Sequence, residues 1–182
     1  GVFFFIRLQG VMQFGTRVDK RKIQGLVSGT QWHEFLELNR MAFDDVLPRN
    51  SESRALSIAW RLLKKHAPQV KWVVSFADGT QCGDGTIYRA AGFVLTAIKE
   101  NRSMWIMPSG EVVADFVTRQ LQGENTRKRI GFKLGESWKS FTERVGAKRL
   151  EGFQLRYIYF IDPAYRARLT VPELPYSEIK AR

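Results

Sequence analysis

Apolar and polar positions alternate along the first part of the chain in a way that predicts β-strands. Val2 to Leu8 is apolar and aromatic and predicts one strand, and Val11 to Phe14 predicts a second. Gln9-Gly10 lies between them and is typical of a tight turn. Trp32 to Phe43 alternates more loosely and predicts a third strand, whose side chains point to opposite faces in turn.

A helical period replaces this alternation at Ser51. Asn50 or Ser51 is the predicted N-cap, and the helix is predicted to end by Pro68. Further along, the pattern predicts a buried strand over Lys71–Phe76, a short helix over Thr86–Ala91, and two strands, Val94–Lys99 and Met104–Met107, joined by a hairpin turn. It then predicts a charged loop over Gly123–Gly131, a helix over Ser137–Val145 and a last strand over Phe153–Ile161.

The order of these elements predicts an α/β fold, with one mixed central sheet flanked by helices. A length of 182 residues suits a single domain, which we place over residues 1–182. The chain opens without methionine, directly in strand-like material. We therefore expect that an N-terminal portion of the fold precedes it. The longest apolar run, Val2 to Ile6, is far shorter than the roughly 20 residues of a membrane span, so no membrane partner is expected.

The net charge of the chain says more about its binding partner than the rest of the composition does. Lys and Arg number 29 against 18 Asp and Glu, which gives a net charge of +11. Such an excess points to a polyanion, with nucleic acid as the first candidate and an acidic membrane surface as the second, although a merely soluble basic protein is the plain alternative. The partner that we predict is double-stranded DNA. The excess is uneven: from Arg119 to Arg168, twelve Lys and Arg residues stand against five Asp and Glu residues. Within this segment lies Arg127-Lys128-Arg129, which we predict to bind the DNA backbone.

The cysteine and histidine content limits metal and redox chemistry. Cys82 is the single cysteine, which excludes an internal disulfide and every multi-cysteine metal site and suits the reducing cytoplasm. His33 and His66 are the two histidines, and no helical two-histidine motif is present. We therefore predict no metal site.

Two stretches place polar groups where α/β proteins bind ligands. Ser75 and Asp78 end a buried strand, and Tyr88 follows on a helix start that can fold back over the same sheet edge. A plainer interpretation is that Asp78 caps the loop and Tyr88 packs as a half-buried aromatic. Arg40, on the preceding strand, would need an anionic partner if buried, and Asp78 is a natural one.

The polar loop before the long helix forms the second stretch. Free N–H groups at a helix N-terminus bind phosphate or a carbonyl oxygen, and side chains can assist them. The alternative is an ordinary helix cap. The predicted cofactor-binding residues are Arg49, Ser51, Ser53 and Arg54.

These residues carry a resemblance to two nested families. Tyr88-Arg-Ala-Ala-Gly-Phe93 is similar to a motif of the GNAT superfamily of N-acetyltransferases. The chain more closely resembles the Mom family of phage Mu-like viruses over nearly its whole length. The similar blocks are Gly10-Val-Met-Gln-Phe-Gly15, Glu37-Leu-Asn-Arg40, Asn50-Ser-Glu-Ser53, Ser75-Phe-Ala-Asp78, Gly85-Thr-Ile-Tyr88 and Arg156-Tyr-Ile-Tyr-Phe-Ile161.

The resemblance implies a GNAT-like fold and a DNA-modifying transferase. Mom proteins convert adenine in phage DNA to N6-carbamoylmethyl adenine, which protects the DNA from host restriction enzymes. The family's functionally important positions fall on Arg40, Ser53, Asp78 and Tyr88, which are the expected catalytic residues. The protein is accordingly expected to act in the cytoplasm of the phage's host. Mom proteins also carry an N-terminal portion with a His-Tyr pair that this sequence does not contain.

The donor is left open by the resemblance. Fold analogy suggests an acetyl-CoA-type donor, but Arg49 to Arg54 lacks the glycines of the superfamily's pyrophosphate loop. Iron has been associated with Mom-like chemistry, although the sequence offers no ligand set for it. Two other functions remain as alternatives: an acyl-CoA-dependent N-acetyltransferase acting on a small amine or protein, and a non-catalytic DNA-binding phage accessory protein.

Overall fold

The computed structural model describes residues 1–4, 7–16, 23–79, 85–101, 103–115, 124–133 and 135–180. The chain divides into two compact units, Gly1–Ile98 with Gln154–Arg182 and, separately, Lys99–Phe153. That residues 1–182 constitute a single domain stays a prediction.

The secondary structure follows the mixed order that the sequence predicts. The strands are β1 (Val2–Phe4), β2 (Arg7–Gly15), β3 (Phe35–Phe43), β4 (Trp72–Asp78), β5 (Val94–Glu100), β6 (Met104–Ile106), β7 (Val112–Ala114), β8 (Lys148–Arg149) and β9 (Phe153–Phe160). The helices are α1 (Ser51–His66), α2 (Thr86–Ala90), α3 (Glu124–Ile130), α4 (Trp138–Val145) and α5 (Ser177–Lys180), with a 3-10 helix over Pro163–Arg168.

A six-stranded mixed sheet, in the order β1-β2-β3-β4-β9-β5, forms the frame of the larger unit. Strands β3 and β4 run parallel and are connected through α1, whereas β1 with β2, β2 with β3, and β4 with β9 are antiparallel. The predicted mixed α/β fold is thus confirmed, and it is consistent with the GNAT-like arrangement that the resemblance implies. The parallel pair brings the carboxyl ends of β3 and β4 to one edge of the sheet.

The core of the larger unit lies under the parallel strands. Phe35 of β3 stacks on Trp72 of β4 with ring centroids 4.7 Å apart, and both rings are buried. Helix α1 buries an apolar face that includes Leu56 and Trp60, and Trp60 stacks on Tyr159 of β9 at 4.3 Å. Because aromatic rings bury large apolar areas, the first stack holds β3 against β4 and the second holds α1 against β9.

The predicted turn at Gln9-Gly10 is wrong, because both residues lie inside β2. Gly10 is paired with Phe43 of β3, and a Cβ at Gly10 would approach the Phe43 ring to 2.8 Å. The glycine therefore makes room for a neighbouring ring within the ladder rather than for a change of chain direction.

The smaller unit, Lys99–Phe153, contains a three-stranded antiparallel sheet in the order β7-β6-β8. Its core consists of Met107, Val113 and Phe141, against which Trp105 and Trp138 pack. The predicted hairpin between β5 and β6 is wrong, because β5 belongs to the large sheet and β6 to the small one. The turn-like composition between them is local and carries no information on which strands pair.

The predicted charged loop over Gly123–Gly131 is also wrong where the structure describes it. Residues Glu124–Ile130 form helix α3, with its acidic residue in the first turn and its cations in the last turn. That distribution complements the helix dipole. Gly131 ends the helix with a positive φ of 73°. Among the described residues, no helix has both the length and the apolar character to cross a membrane.

Candidate active site

The carboxyl ends of β3 and β4 form one wall of a cavity of about 500 Å³, which we name the first cavity. In the parallel ladder Leu38 is paired with Ser75, so Arg40 and Asp78 both lie just beyond this pair. Helix α2 and the residue before it supply the facing wall. The first cavity is lined by Leu38, Asn39, Arg40, Met41, Phe76, Ala77, Asp78, Gly85, Thr86, Ile87 and Tyr88.

Three of the four predicted catalytic residues therefore meet in the first cavity: Arg40, Asp78 and Tyr88. Arg40 is exposed, so it needs no buried counter-ion of the kind considered for it, and Asp78 is half-buried. A guanidinium, a carboxylate and a phenol on one surface provide a fixed cation, a proton acceptor and a proton donor. Groups of these types perform acid–base chemistry on a bound ligand.

Tyr88 is placed by two neighbours on the sheet. Its ring lies flat on Tyr157 of β9, with centroids 4.2 Å apart and ring planes 6° apart, and its edge meets Phe93. Ser75 of β4 donates a hydrogen bond to the Tyr88 hydroxyl at 3.1 Å. The sequence placed Ser75 at the ligand-binding edge, but only the folded chain reveals its contact with Tyr88.

A second cavity, of about 290 Å³, adjoins the first because both are lined by Thr86 and Ile87. The predicted residues Arg49 and Ser53 line this second cavity. Ser53 is therefore close to the other three catalytic candidates without sharing their cavity. The remaining second-cavity residues are Phe43, Asp44, Asp45, Leu47, Pro48, Asn50, Glu52 and Ala90.

The other two predicted cofactor-binding residues face elsewhere. Ser51 and Arg54 line a third cavity of about 630 Å³, together with apolar residues that include Ile58 and Leu62. The first turn of α1 thus divides the predicted set between two cavities that adjoin at Leu47 and Pro48, since successive helical residues point about 100° apart.

The start of α1 is held by local backbone contacts. Asn50 takes a left-handed conformation with φ of 67°, and its side chain forms no cap hydrogen bond. The Ser51 hydroxyl donates to the Pro48 carbonyl at 2.6 Å, and the Ser53 hydroxyl donates to the Asn50 carbonyl at 3.1 Å. Each serine oxygen keeps lone pairs that can accept a hydrogen bond from a ligand.

The charges of the second cavity do not suit a coenzyme A pyrophosphate. Among the residues that the structure describes, the carboxylates of Asp44, Asp45 and Glu52 line this cavity beside one guanidinium, that of Arg49. A pyrophosphate would be repelled by these carboxylates. The residues of this cavity therefore fit an uncharged donor group better than an acetyl-CoA-type donor.

The described residues contain no group of three or more His, Cys, Asp or Glu side chains that could hold a metal ion. His33 is exposed in the segment before β3, and His66 is exposed at the end of α1. The residues that the structure describes do not fit an iron site. Cys82 lies outside the described residues.

The predicted DNA-binding residues Arg127, Lys128 and Arg129 lie on α3 in the smaller unit. Lys128 pairs with Glu124 at 2.7 Å, and Arg129 pairs with Glu111. Such exposed pairs contribute little to stability and exchange readily for other anions. Both cations can therefore turn from a carboxylate to a phosphate at small energetic cost.

From the sequence alone, no role was assigned to the residues that pack behind Tyr88. Tyr176 stacks on Tyr157 at 5.9 Å and donates a hydrogen bond to the Phe93 carbonyl at 2.9 Å. Burial raises the pKa of the Tyr176 hydroxyl to about 12, so it keeps its proton.

Arg156 of β9 donates a hydrogen bond from Nε to the Thr96 hydroxyl at 2.9 Å, and burial lowers the pKa of the Arg156 guanidinium. Tyr157 is fully buried and packs in the core.

Comparison with known proteins supplies the family context. The model of the Mom protein family matches residues 1–178. The methylcarbamoylase mom of Escherichia phage Mu is 35% identical over 170 residues. The alignment covers 93% of this chain and 66% of the relative, so the chain spans slightly less than two thirds of the relative's length.

Proposed function

Because the chain belongs to the Mom protein family, we propose that it is a DNA-modifying enzyme acting on adenine in phage DNA. The group transferred is a carbamoylmethyl group, and the acceptor is the exocyclic N6 amine. The name of the phage Mu relative, a methylcarbamoylase, supports this choice of group. The single observation that carries the proposal is the meeting of Arg40, Asp78 and Tyr88 in the first cavity.

The acceptor sets the demands on the site. The N6 amine is a weak nucleophile because its lone pair is delocalised into the purine ring, and it is buried in the base stack of duplex DNA. The enzyme must therefore take the base out of the helix and polarise its amine close to the donor. At about 500 Å³, the first cavity lies within the roughly 300–1,000 Å³ range of small-molecule pockets, and it is open to solvent on one side.

Asp78 and Tyr88 are assigned the proton transfers. Asp78 accepts a hydrogen bond from N6–H and takes the proton as the new N6–carbon bond forms. Tyr88 gives its proton to the leaving group of the donor as the carbon–leaving-group bond breaks. The donor is a small molecule with a carbamoylmethyl carbon attached to that leaving group. Such positioned acid–base groups each contribute about 10²–10⁴-fold.

Arg40 and Ser53 are assigned to binding. Arg40 stabilises negative charge that develops in the first cavity, because its guanidinium carries a positive charge. Ser53, in the adjoining second cavity, contacts the amide carbonyl of the donor, and Arg49 lies beside it. An uncharged donor amide agrees with the carboxylates of that cavity, which disfavour a pyrophosphate.

The charge of the whole chain supports DNA as the substrate. An excess of +11 attracts a polyanion, and Arg127, Lys128 and Arg129 are assigned to its phosphates. Modified adenine would protect phage DNA against host restriction, which places the reaction in the cytoplasm of the host cell.

Mass spectrometry of nucleosides tests the proposal. DNA is isolated from cells that express the protein and from cells without it, and it is digested to nucleosides. The proposal predicts a deoxyadenosine heavier by one carbamoylmethyl group. Unmodified deoxyadenosine together with acetylated small amines or proteins would favour an acetyltransferase. Salt-sensitive DNA binding without any altered nucleoside would favour an accessory DNA-binding protein.

A further inference from the structure

Ser75 is buried beneath the first cavity and belongs to none of the binding or acid–base roles assigned above. It is 1% exposed, and its hydroxyl lies 3.1 Å from the Tyr88 hydroxyl and 3.4 Å from the Leu38 carbonyl oxygen. A buried hydroxyl in the middle of an apolar strand is costly unless it is hydrogen-bonded. In β4 the flanking residues Val74 and Phe76 are both apolar, and Val74 is fully buried.

The fold delivers Tyr88 to Ser75 through a specific close approach. Ser75 is paired with Tyr157 in the antiparallel ladder of β4 and β9. Gly85 precedes α2 and packs against the Tyr157 hydroxyl, so α2 begins directly above that ring. Tyr88 then lies over the Tyr157 ring, with its own hydroxyl above Ser75.

We propose that Ser75 is a positioning residue that fixes the Tyr88 hydroxyl at the wall of the first cavity. Ser75 carries one proton, and the contact with Tyr88 is the shorter of its two hydrogen bonds. With the Ser75 proton on this shorter contact, the Tyr88 oxygen accepts from Ser75 and Tyr88 keeps its own proton for a second hydrogen bond. The opposite direction, in which Tyr88 donates to Ser75 and Ser75 donates to the Leu38 carbonyl, would make Ser75→Ala lower the titration midpoint of Tyr88. Donation from Ser75 also stabilises the oxygen once that proton has left.

The catalytic consequence rests on the proposed function, whereas the hydrogen bond itself does not. The test therefore has two independent readouts. The first is the ¹³Cζ resonance of Tyr88 and its titration, assigned by its disappearance in Tyr88→Phe. The second is the rate of adenine modification in wild type, Ser75→Ala, Tyr88→Phe and the double variant.

Thr30→Ala is the matched control. Thr30 is another buried hydroxyl of the larger unit, 2% exposed, and it binds Val27 and Trp72 far along the chain from Tyr88. Thr30→Ala should lower the melting temperature at least as much as Ser75→Ala, because it deletes a buried hydroxyl with two hydrogen-bond partners and also a methyl group. It should leave the Tyr88 resonance and the modification rate unchanged.

The expected result has two parts. Ser75→Ala moves the Tyr88 ¹³Cζ resonance and raises its titration midpoint by about half to one pH unit, the equivalent of one ordinary hydrogen bond. It lowers the modification rate about tenfold in the wild-type background and has no further effect in the Tyr88→Phe background.

An unchanged Tyr88 resonance and midpoint would overturn the proposal, as would an equal rate loss in both backgrounds. Ser75→Cys keeps a weak donor, so it should lie between wild type and Ser75→Ala in the midpoint, even if the alanine variant folds poorly. Absence of modified adenine from wild type would refute the proposed function instead, and the resonance measurement would still decide the role of Ser75.

Discussion

Gly85 packs against the hydroxyl of Tyr157 so closely that a Cβ on Gly85 would lie 2.2 Å from that oxygen. Tyr157 is fully buried, so its ring cannot move aside. Gly85 has a φ of 72°, a left-handed backbone conformation that residues with a Cβ rarely adopt. This single contact sets the start of α2 and, through it, the position of Tyr88 at the first cavity.

Gly85→Ala should therefore destabilise the protein by about 2–5 kcal/mol, the sum of an overpacked core and a strained left-handed backbone. It should also displace Tyr88 and reduce adenine modification per folded molecule. Gly92→Ala is the control, because Gly92 also has a positive φ, of 82°, but its Cβ would lie at an ordinary 3.4 Å from Tyr159. Denaturant unfolding of both variants measures the difference. Equal destabilisation would show that the contact with Tyr157 does not matter.

The candidate site was partly predictable from the sequence. Asp78 and Tyr88 were placed at one sheet edge because a buried strand that ends in polar residues marks the ligand-binding edge of α/β proteins, and the two do meet in the first cavity. The contact of Ser75 with Tyr88 was not predictable, since it depends on how α2 crosses β4 and β9. The division of Ser51 and Ser53 between two cavities depends likewise on the rotation of α1 about its axis.

That division gives a second prediction. Ser53 and Ser51 occupy the first turn of α1, and each donates to a nearby carbonyl, but only Ser53 lines the second cavity. Ser53→Ala should lower adenine modification about tenfold through weaker donor binding, as expected when one hydrogen bond is removed. Ser51→Ala should leave it near wild type, and both should change the melting temperature by a similar small amount. If both variants are equally impaired in activity, the second cavity is not the donor site.

A third prediction concerns the cations of α3. Replacing Arg127, Lys128 and Arg129 by alanine should make DNA binding less dependent on salt. In a plot of the logarithm of the binding constant against the logarithm of the salt concentration, the slope should become shallower by about 0.9 for each phosphate that the protein no longer neutralises. Binding titrations over a range of salt concentrations measure this slope. Lys139→Ala is the single-cation control, since Lys139 is an exposed lysine of the same unit that approaches Glu143 at 4.0 Å.

Glu124 offers a sharper test of the same surface. It pairs with Lys128 at 2.7 Å, so Glu124→Gln releases that cation for a phosphate. We expect tighter DNA binding from this variant and an unchanged or steeper slope. A triple variant with the wild-type slope would remove α3 from the DNA interface.

The fourth prediction concerns acid stability of the smaller unit. Arg144 binds both carboxylate oxygens of Glu136, at 2.7 and 2.8 Å, and this lowers the pKa of Glu136 from 4.5 to about 2. A pKa that is lower in the folded state means that ionised Glu136 stabilises the fold above about pH 4.5. That stabilisation is lost as the pH falls towards about 2, where the folded carboxylate is protonated.

Glu136→Gln should therefore be less stable than wild type at neutral pH, and the difference should shrink as the pH falls below about 4.5. Urea unfolding at a series of pH values measures it. Glu143→Gln serves as the control, because the exposed pair of Glu143 with Lys139 at 4.0 Å contributes little. A constant difference between Glu136→Gln and wild type over this range would contradict the assignment.

Local patterns predicted the type of most elements better than their pairing. Helix α1 and strands β3, β4 and β9 lie near their predicted positions. In each of them, the regular spacing of apolar residues over a long segment indicates both the type and the place of the element. The hairpin between β5 and β6 failed because strand pairing is non-local. The prediction of a loop over helix α3 was wrong because every residue of the helix before Ile130 is polar or charged, so no apolar period is visible. Its helical character shows only in the order of Glu124 before Arg127.

The central claim is that adenine is modified in the first cavity by Asp78 and Tyr88. Its most direct test compares modified deoxyadenosine, measured by mass spectrometry, among wild type, Asp78→Asn and Tyr88→Phe at equal amounts of folded protein. Asp162→Asn and Tyr165→Phe are matched controls, since both residues form hydrogen bonds in the same unit away from the first cavity. We predict a loss of about 10²–10⁴-fold in each site variant and near wild-type levels in each control. Wild-type levels of modified deoxyadenosine from folded Asp78→Asn or Tyr88→Phe protein would contradict the claim.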